Sequence, residues 1–235
     1  MNKYDILQIA FYIAALIVLA KPLGGYLAGA LEDKSHFQSR LFGPFERFIY
    51  RLCGIASDER MNWKSYAGAL LWFNALGFLA VFLLQLLQHR LPLNPNNNGS
   101  VEWALAFNTA VSFMTNTNWQ SYAGETTLSY LTQMTGLTVQ NFLSAATGGA
   151  VFIAMTRGLV GRQTDNIGNF WADIVRITIR VLLPCSLFIA FLLLGAGVVQ
   201  TFSPSTRVKT LEGVEQVRFG ALSENVTAYF LSRIA

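Results

Sequence analysis

Charged residues are scarce in this chain. Only 13% of its 235 residues are Asp, Glu, Lys or Arg, whereas 53% are hydrophobic. A soluble domain carries about 25% charged residues, so the composition argues against a soluble protein and favours one that resides in lipid. The formal net charge is only +4, and no basic stripe with interleaved aromatic residues is present, which argues against a nucleic-acid partner.

Residue types that commonly build catalytic or metal sites are also rare, with two Cys and two His. Cys53 and Cys185 fall in a predicted cytoplasmic loop and an apolar segment, where no disulfide is expected. His36 and His89 lack a second ligand at a metal-binding spacing. The sequence has neither a Walker loop nor an Asp-Lys-Thr-Gly phosphorylation motif. We therefore expect a non-catalytic protein without an organic cofactor.

Long apolar segments dominate what is present. Two of them are charge-free and close to the roughly 20 residues that span a bilayer. A third is charge-free and rich in small residues, and a shorter one at the amino terminus carries Asp5 at its edge. We predict an all-α polytopic membrane fold in a single membrane domain, residues 1–235, with the first transmembrane helix within residues 1–25. The four predicted spans are Tyr4–Ala20, Ala67–Leu87, Leu137–Met155 and Val181–Val199.

The distribution of Lys and Arg predicts the orientation of these spans. Only Lys3 precedes the first span, whereas seven basic residues lie between the first and second. Arg90 alone lies between the second and third, and four Arg residues precede the fourth. Positive charge is retained on the cytoplasmic side, so we expect a multi-pass membrane protein with its amino terminus outside. A cleaved signal peptide is the alternative for the first segment.

The segment Phe37–Leu52 is amphipathic at helical spacing, with Phe and Leu on one face and Arg on the other. This pattern is typical of a helix that lies at the membrane interface. An ordinary cytoplasmic connector is the open alternative. We expect Gly43 and Pro44 to interrupt any continuous helix there.

A short apolar segment, Val101–Met114, lies between the second and third spans. Ser100 is its candidate N-cap, and Glu102 suits the positive end of the first turn. At 1.5 Å per residue the segment is roughly 21 Å long, which is too short for the roughly 30 Å hydrocarbon core. The sequence therefore predicts a pore helix that enters the membrane and returns through a loop.

The six residues that follow, five of them polar, form the predicted functional site, which we name the filter segment (residues 115–120). Polar backbone at membrane depth must be buried in protein or line a hydrated path. The carboxyl end of the pore helix attracts a cation, and successive carbonyls can replace the water around potassium. Asn readily adopts left-handed backbone. A polar external loop is the alternative. The candidate potassium ligands are the backbone carbonyls of Thr115, Asn116, Thr117 and Asn118, flanked by Trp119 and Gln120.

The third span carries small residues at a spacing of four, Ser144 with Gly148 and Ala145 with Gly149. Such residues let helix backbones approach closely. We expect this helix to pack beside the filter segment without contacting the ion.

The run Phe113–Gly148 (FMTNTNWQSYAGETTLSYLTQMTGLTVQNFLSAATG) resembles the first filter and following helix of the potassium-binding subunit of the Kdp potassium-transporting ATPase. The similarity extends from the amino terminus to about Gln216 and includes Trp72–Phe78 (WFNALGF). It implies a potassium-transporter fold in which span, pore helix, filter and span repeats surround one filter. By matching positions, residues 115–118 are first-repeat filter residues, and Gln120 influences potassium affinity.

The resemblance also implies how the chain works. Potassium would be the transported ligand, selected outside and delivered through the membrane to a P-type ATPase subunit, which hydrolyses ATP. The implied partners are that subunit, small accessory subunits and membrane lipid. We place the repeat at residues 63–157, the fourth transmembrane helix with a cytoplasmic lead-in at 158–200, and an external tail at 201–235.

Residues Val217–Ala235 depart from the family pattern, because they show no second pore helix or glycine-rich filter. The sequence thus predicts a chain truncated after one repeat, which supplies about a quarter of a four-loop filter. A nonfunctional remnant and a homotetrameric cation channel are the alternatives to a transport subunit.

Overall fold

The computed structural model describes residues 3–31, 36–161, 166–196, Phe202, Pro204, 206–209 and 215–218. Four of the described helices are long and apolar enough to cross a membrane, which confirms the predicted all-α, four-span fold. The helices are α1 Lys3–Leu31, α2 His36–Cys53, α3 Trp63–Leu87, α4 Trp103–Met114, α5 Gly124–Thr127, α6 Thr132–Val160 and α7 Phe170–Gly195. The strands are β1 Met61–Asn62, β2 Asn166–Gly168, β3 Thr206–Lys209 and β4 Glu215–Arg218.

All four spanning helices extend beyond the apolar segments that predicted them, α1 and α7 the furthest. Helix α1 continues through Lys21 and Pro22 to Leu31, and α7 begins at Phe170, so the predicted lead-in and the fourth span form one helix. The strands pair in two short antiparallel ribbons, β1 with β2 and β3 with β4. The second ribbon lies within the predicted tail, whose residues beyond Arg218 are outside the described part of the chain.

Helix α2 is continuous across Gly43 and Pro44, so the expected interruption is wrong. Proline removes one backbone hydrogen bond, to the carbonyl four residues earlier. Arg40 and Pro44 are both exposed, so water can reach the carbonyl that loses its partner. The exposed face of α2 carries a stripe of large apolar side chains, Leu41, Phe45, Phe48 and Leu52.

An ion pair buried in protein joins α2 to α7. Arg180 is 1% exposed and Glu46 is 4% exposed. The guanidinium donates to both carboxylate oxygens, at 2.5 and 2.6 Å, and to the carbonyl of Ala30 at 3.0 Å. The hydroxyl of Tyr26 donates to the Arg180 carbonyl. Burying the charge is tolerated because each partner supplies the other's counter-charge.

A core at the predicted cytoplasmic end packs α3, α6 and α7 together. The ring of Phe170 contacts that of Tyr66 edge-on, with 5.4 Å between centroids. The Tyr66 hydroxyl donates to the Ala150 carbonyl at 2.9 Å and to Asp173 at 3.2 Å. Arg157 also pairs with Asp173, at 2.6 Å. These contacts fix the α3–α6 pair, against which the short helix α4 packs.

Candidate functional site

Helix α4 is the short helix between two spans that the sequence predicts. Its 12 residues are roughly 18 Å long at 1.5 Å per residue. Glu102, and not Ser100, is the N-cap, because its carboxylate accepts from the Leu105 N–H at 3.0 Å. Ser100 instead lies 2.8 Å from the ring of His89. The buried side of α4 packs against α3 and α6 in an apolar cluster that contains Val81, Ala106, Ala110, Phe113 and Leu137.

The backbone N–H groups after α4 turn back toward its carboxyl end. The N–H of Asn116 donates to the Phe113 carbonyl at 3.3 Å. The N–H groups of Thr117 and Asn118 both donate to the carbonyl of Ser112, at 2.9 and 3.2 Å. The next N–H, that of Trp119, donates to the Ser112 hydroxyl at 2.6 Å. Four consecutive peptide groups are therefore oriented by the last turn of one helix.

The carbonyls of the same peptide groups point away from α4. In a planar trans peptide the C=O is directed opposite to the N–H, so the N–H bonds of residues 116–119 fix the carbonyls of residues 115–118. No N–H or O–H group of the described residues donates to these four carbonyl oxygens. The segment thus presents a run of unpaired carbonyls on one side.

Left-handed backbone at Asn116 and Asn118 makes this arrangement possible. Their φ angles are 58° and 54°. The φ angle of Thr115 is −86°, and that of Thr117 is also negative. Alternating right- and left-handed residues bring successive N–H groups to one side of the chain. Asn tolerates the left-handed region better than most side chains, so these residues suit the positions the backbone requires.

The Thr side chains of the filter segment bond within the segment and to α4. The Thr115 hydroxyl lies 2.9 Å from the Val111 carbonyl and 3.0 Å from the Thr117 hydroxyl. The filter segment therefore uses the Thr115 side chain to hold the turn. This leaves its backbone carbonyl as the group available to a ligand.

The flanking residues Trp119 and Gln120 lie at the carboxyl-terminal end of the segment. Trp119 is 57% exposed, so its side chain is largely unburied within the described chain. Gln120 donates to the hydroxyl of Tyr122 at 3.2 Å. Burial raises the pKa of Tyr122 from 10.0 to about 12, against the lowering effect of hydrogen bonds with Gln120 and Thr109. The hydrogen bond to Tyr122 therefore holds the Gln120 amide against the loop that follows.

Ser112 is a site residue that sequence reasoning missed. Its carbonyl accepts the two N–H groups described above and the Thr115 hydroxyl at 3.2 Å. Its own hydroxyl accepts from the Trp119 N–H and donates to the Trp119 carbonyl at 3.0 Å. A buried serine in the last turn of an otherwise apolar helix was the available signal, because such a hydroxyl needs partners.

Helix α6 does pack beside the filter segment, though through fewer of the predicted small residues. The Ser144 hydroxyl lies 3.2 Å from the Asn116 side-chain oxygen. Gly149 packs against Ile177 of α7, whereas Gly148 faces open space. Gly77 of α3 also lies close to α6, because an added Cβ there would be 2.6 Å from the Gln140 amide oxygen.

The loop that returns from the filter segment is anchored by Gln88, which is fully buried. Its amide nitrogen donates to the carbonyls of Gly99 and Thr127, at 2.6 and 2.8 Å. Its amide oxygen accepts from the Ser129 N–H at 3.0 Å. One side chain therefore joins the end of α3 to the segments before α4 and before α6.

Among the described side chains, acidic and metal-binding groups do not converge on this site. No group of three or more His, Cys, Asp or Glu occurs within the described ranges. The oxygens that the filter segment offers are neutral carbonyls, amides and hydroxyls. Neutral oxygens suit a weakly hydrated monovalent cation such as potassium better than a divalent ion that requires carboxylates.

The fold and this loop define a helical membrane protein in which a short apolar helix and a carbonyl-lined turn are inserted between two spans. The chain belongs to the family of the potassium-transporting ATPase A subunit, whose model matches residues 10–227. This finding confirms the resemblance seen in the sequence.

Curated relatives agree with the family assignment. The potassium-transporting ATPase potassium-binding subunit of Methylococcus capsulatus is 53% identical over 212 residues, which are 90% of this chain and 36% of the relative. That of Herpetosiphon aurantiacus is 50% identical over 97% of this chain and 39% of its own length. That of Pseudomonas entomophila is 50% identical over 92% and 38%, respectively. The chain thus spans well under half the length of these relatives.

Proposed function

We propose that the filter segment binds potassium through the backbone carbonyls of residues 115–118. The chain would act within the potassium-binding subunit of an ATP-driven uptake complex. The observation that carries this proposal is the common direction of the four unpaired carbonyls, fixed by the N–H bonds to Ser112 and Phe113. Dehydrating potassium requires such closely spaced oxygens.

The electrostatics of α4 support the same site. The carboxyl end of a helix carries a partial negative charge, and α4 ends at Met114, directly before the segment. Partial charges attract a cation without holding it as tightly as a carboxylate would. An ion that must enter and leave the site requires this weaker attraction.

The potassium site needs ligands from outside this chain. One loop gives about a quarter of a ring of four, so we infer that further repeats supply the rest. The relatives are named as subunits of a potassium-transporting ATPase. Potassium bound here would be delivered to a P-type ATPase subunit, which hydrolyses ATP, with small accessory subunits completing the complex.

The membrane placement follows from charge and exposure. We propose that the chain lies in the bacterial inner membrane with its amino terminus outside, because the basic residues concentrate after the first span. Helix α2 would then lie on the cytoplasmic interface, with its exposed stripe of Leu41, Phe45, Phe48 and Leu52 in lipid. Exposed Arg40, Arg47 and Arg51 on the same helix would meet the headgroups.

Growth at limiting potassium tests the proposal. The chain is expressed in a bacterial strain without its own potassium uptake, together with the ATPase partner and the remaining repeats as a second polypeptide. We expect rescue by the wild type and loss of rescue with Asn116→Val and Asn118→Val combined, since a β-branched side chain is strained in the left-handed region that both positions occupy. Thr156→Ala is the matched control, because the exposed Thr156 hydroxyl donates to the Phe152 carbonyl of its own helix.

Each outcome distinguishes the alternatives. Rescue by the 235-residue chain without the second polypeptide would favour a homotetrameric channel. Absence of rescue in both arms, with the chain present in the membrane, would favour a nonfunctional remnant and contradict the proposal. In the purified complex, potassium but not sodium should protect the filter segment from proteolysis, and equal protection by both ions would contradict selective binding.

A further inference from the structure

Hydrogen bonds between side chains link α6 to the filter segment. Ser144 is 3% exposed, and its hydroxyl lies 3.2 Å from the Asn116 amide oxygen. The Asn118 amide nitrogen lies 3.4 Å from the same oxygen. Asn116 therefore accepts from two donors, one on the neighbouring helix and one within its own loop.

These contacts set the orientation of the Asn118 amide, that is, which of its two ends faces Asn116. A primary amide has an NH2 donor and an oxygen acceptor at opposite corners. Because the Asn118 NH2 is directed at Asn116, its oxygen faces the other way. That oxygen is buried, and no group among the described residues donates to it. Buried polar oxygens nearly always have a partner, so this one is suited to a ligand.

Ser144 is the residue that maintains this orientation of the Asn118 amide. Its hydroxyl is also 3.3 Å from the Asn141 carbonyl, but a carbonyl inside a helix already accepts the N–H four residues later. The Asn116 amide oxygen is the closer acceptor. With a hydroxyl donor on α6, Asn116 keeps its oxygen toward the segment and draws the Asn118 NH2 to it.

We propose that Ser144 is a positioning residue that makes Asn118 present its side-chain oxygen, and not its NH2 group, to the bound potassium. The amide oxygen adds a neutral ligand beside the backbone carbonyls, whereas the NH2 group would repel the cation. This inference rests on the proposed potassium site. It assigns to α6 a role in affinity, beyond the close packing that its small residues provide.

The test uses the assembled complex in nanodiscs, with potassium-dependent ATPase activity measured against potassium concentration. Ser144→Ala removes the hydroxyl and is expected to raise the half-saturating potassium concentration about threefold to tenfold, the value of one hydrogen bond. The maximal rate should be unchanged. Ser144→Thr keeps the hydroxyl and should restore the affinity. Thr147→Ala is the matched control, because Thr147 bonds to the Leu143 carbonyl of its own helix.

Asn116→Gly provides a second variant, because glycine removes the shared acceptor and still adopts the left-handed backbone of that position. It should give the same shift as Ser144→Ala, and the double variant should show little further loss, because both act through one contact chain. An unchanged potassium dependence in both single variants would overturn this inference while leaving the potassium site intact. A wild-type complex without potassium dependence would instead overturn the proposed function, and this role with it.

Discussion

Replacing Ser112 by alanine should loosen the filter segment while leaving α4 in place. The substitution removes the hydroxyl that accepts from the Trp119 N–H at 2.6 Å and donates to the Trp119 carbonyl at 3.0 Å. It retains the Ser112 carbonyl, which holds Thr117 and Asn118. The segment should therefore lose its attachment at Trp119 and keep those at Thr117 and Asn118.

The magnitude follows from the groups left without partners. Unpairing a buried donor or acceptor costs about 1–3 kcal/mol. The Trp119 residue is partly exposed, so water can replace some of the loss, and we expect about 1–2 kcal/mol for the pair. That free energy corresponds to roughly a 5-fold to 30-fold change in an opening equilibrium.

Amide hydrogen exchange by mass spectrometry measures this opening in the chain reconstituted in nanodiscs. The Trp119 N–H should exchange roughly 5-fold to 30-fold faster in Ser112→Ala. Ser186→Ala is the control, because that buried hydroxyl bonds to the Leu183 carbonyl of its own helix, at 2.8 Å. Unchanged exchange at Trp119 in Ser112→Ala would show that this hydroxyl does not hold the segment.

Three further substitutions test the packing around the site. Glu46→Ala leaves Arg180 buried without its counter-charge, so the free energy of unfolding in detergent should fall by about 3–5 kcal/mol. Gly77→Ala places a Cβ 2.6 Å from the Gln140 amide oxygen, and because the end of this flexible side chain can shift, the melting temperature should fall by the equivalent of only about 1 kcal/mol or less. The pKa of Tyr122 is raised from 10.0 to about 12, so its contribution to stability is present below pH 10 and lost as pH rises through 12. Stability measured against pH for the wild type and for Tyr122→Phe should isolate that loss as the difference between the two curves.

Each of these substitutions has a control on the same kind of element. Arg47→Ala is exposed on α2, Gly148→Ala enters open space on α6, and Tyr12→Phe is 65% exposed on α1. All three should leave stability nearly unchanged. An effect of Arg47→Ala as large as that of Glu46→Ala, or identical alkaline titrations for the Tyr122 variant and the wild type, would contradict the assigned causes.

The spans and the short helix were predictable because they depend on local composition. Apolar runs of sufficient length predict the four long helices. The change from apolar to polar residues after Met114 likewise predicts where α4 ends and the polar segment begins. The left-handed turns at Asn116 and Asn118 were also predictable, since Asn favours that backbone region. These features need no knowledge of distant contacts.

Other features depend on residues far apart in sequence, which local patterns cannot pair. Glu46 and Arg180 are separated by 134 positions, so the charge pattern alone assigned Arg180 only to a cytoplasmic lead-in. Ser100 failed as the N-cap because its hydroxyl bonds to His89, leaving the position to Glu102. Continuity of α2 across Pro44 required knowing that this side of the helix faces solvent.

The most direct test of the potassium site is a structure of the assembled complex with rubidium in place of potassium, read from the anomalous scattering of rubidium. We expect a rubidium ion in contact with carbonyl oxygens of residues 115–118, and no ion there when sodium is the sole cation. Ordered density for the segment with rubidium bound elsewhere, or equal occupancy by sodium, would show that these carbonyls do not form a selective potassium site.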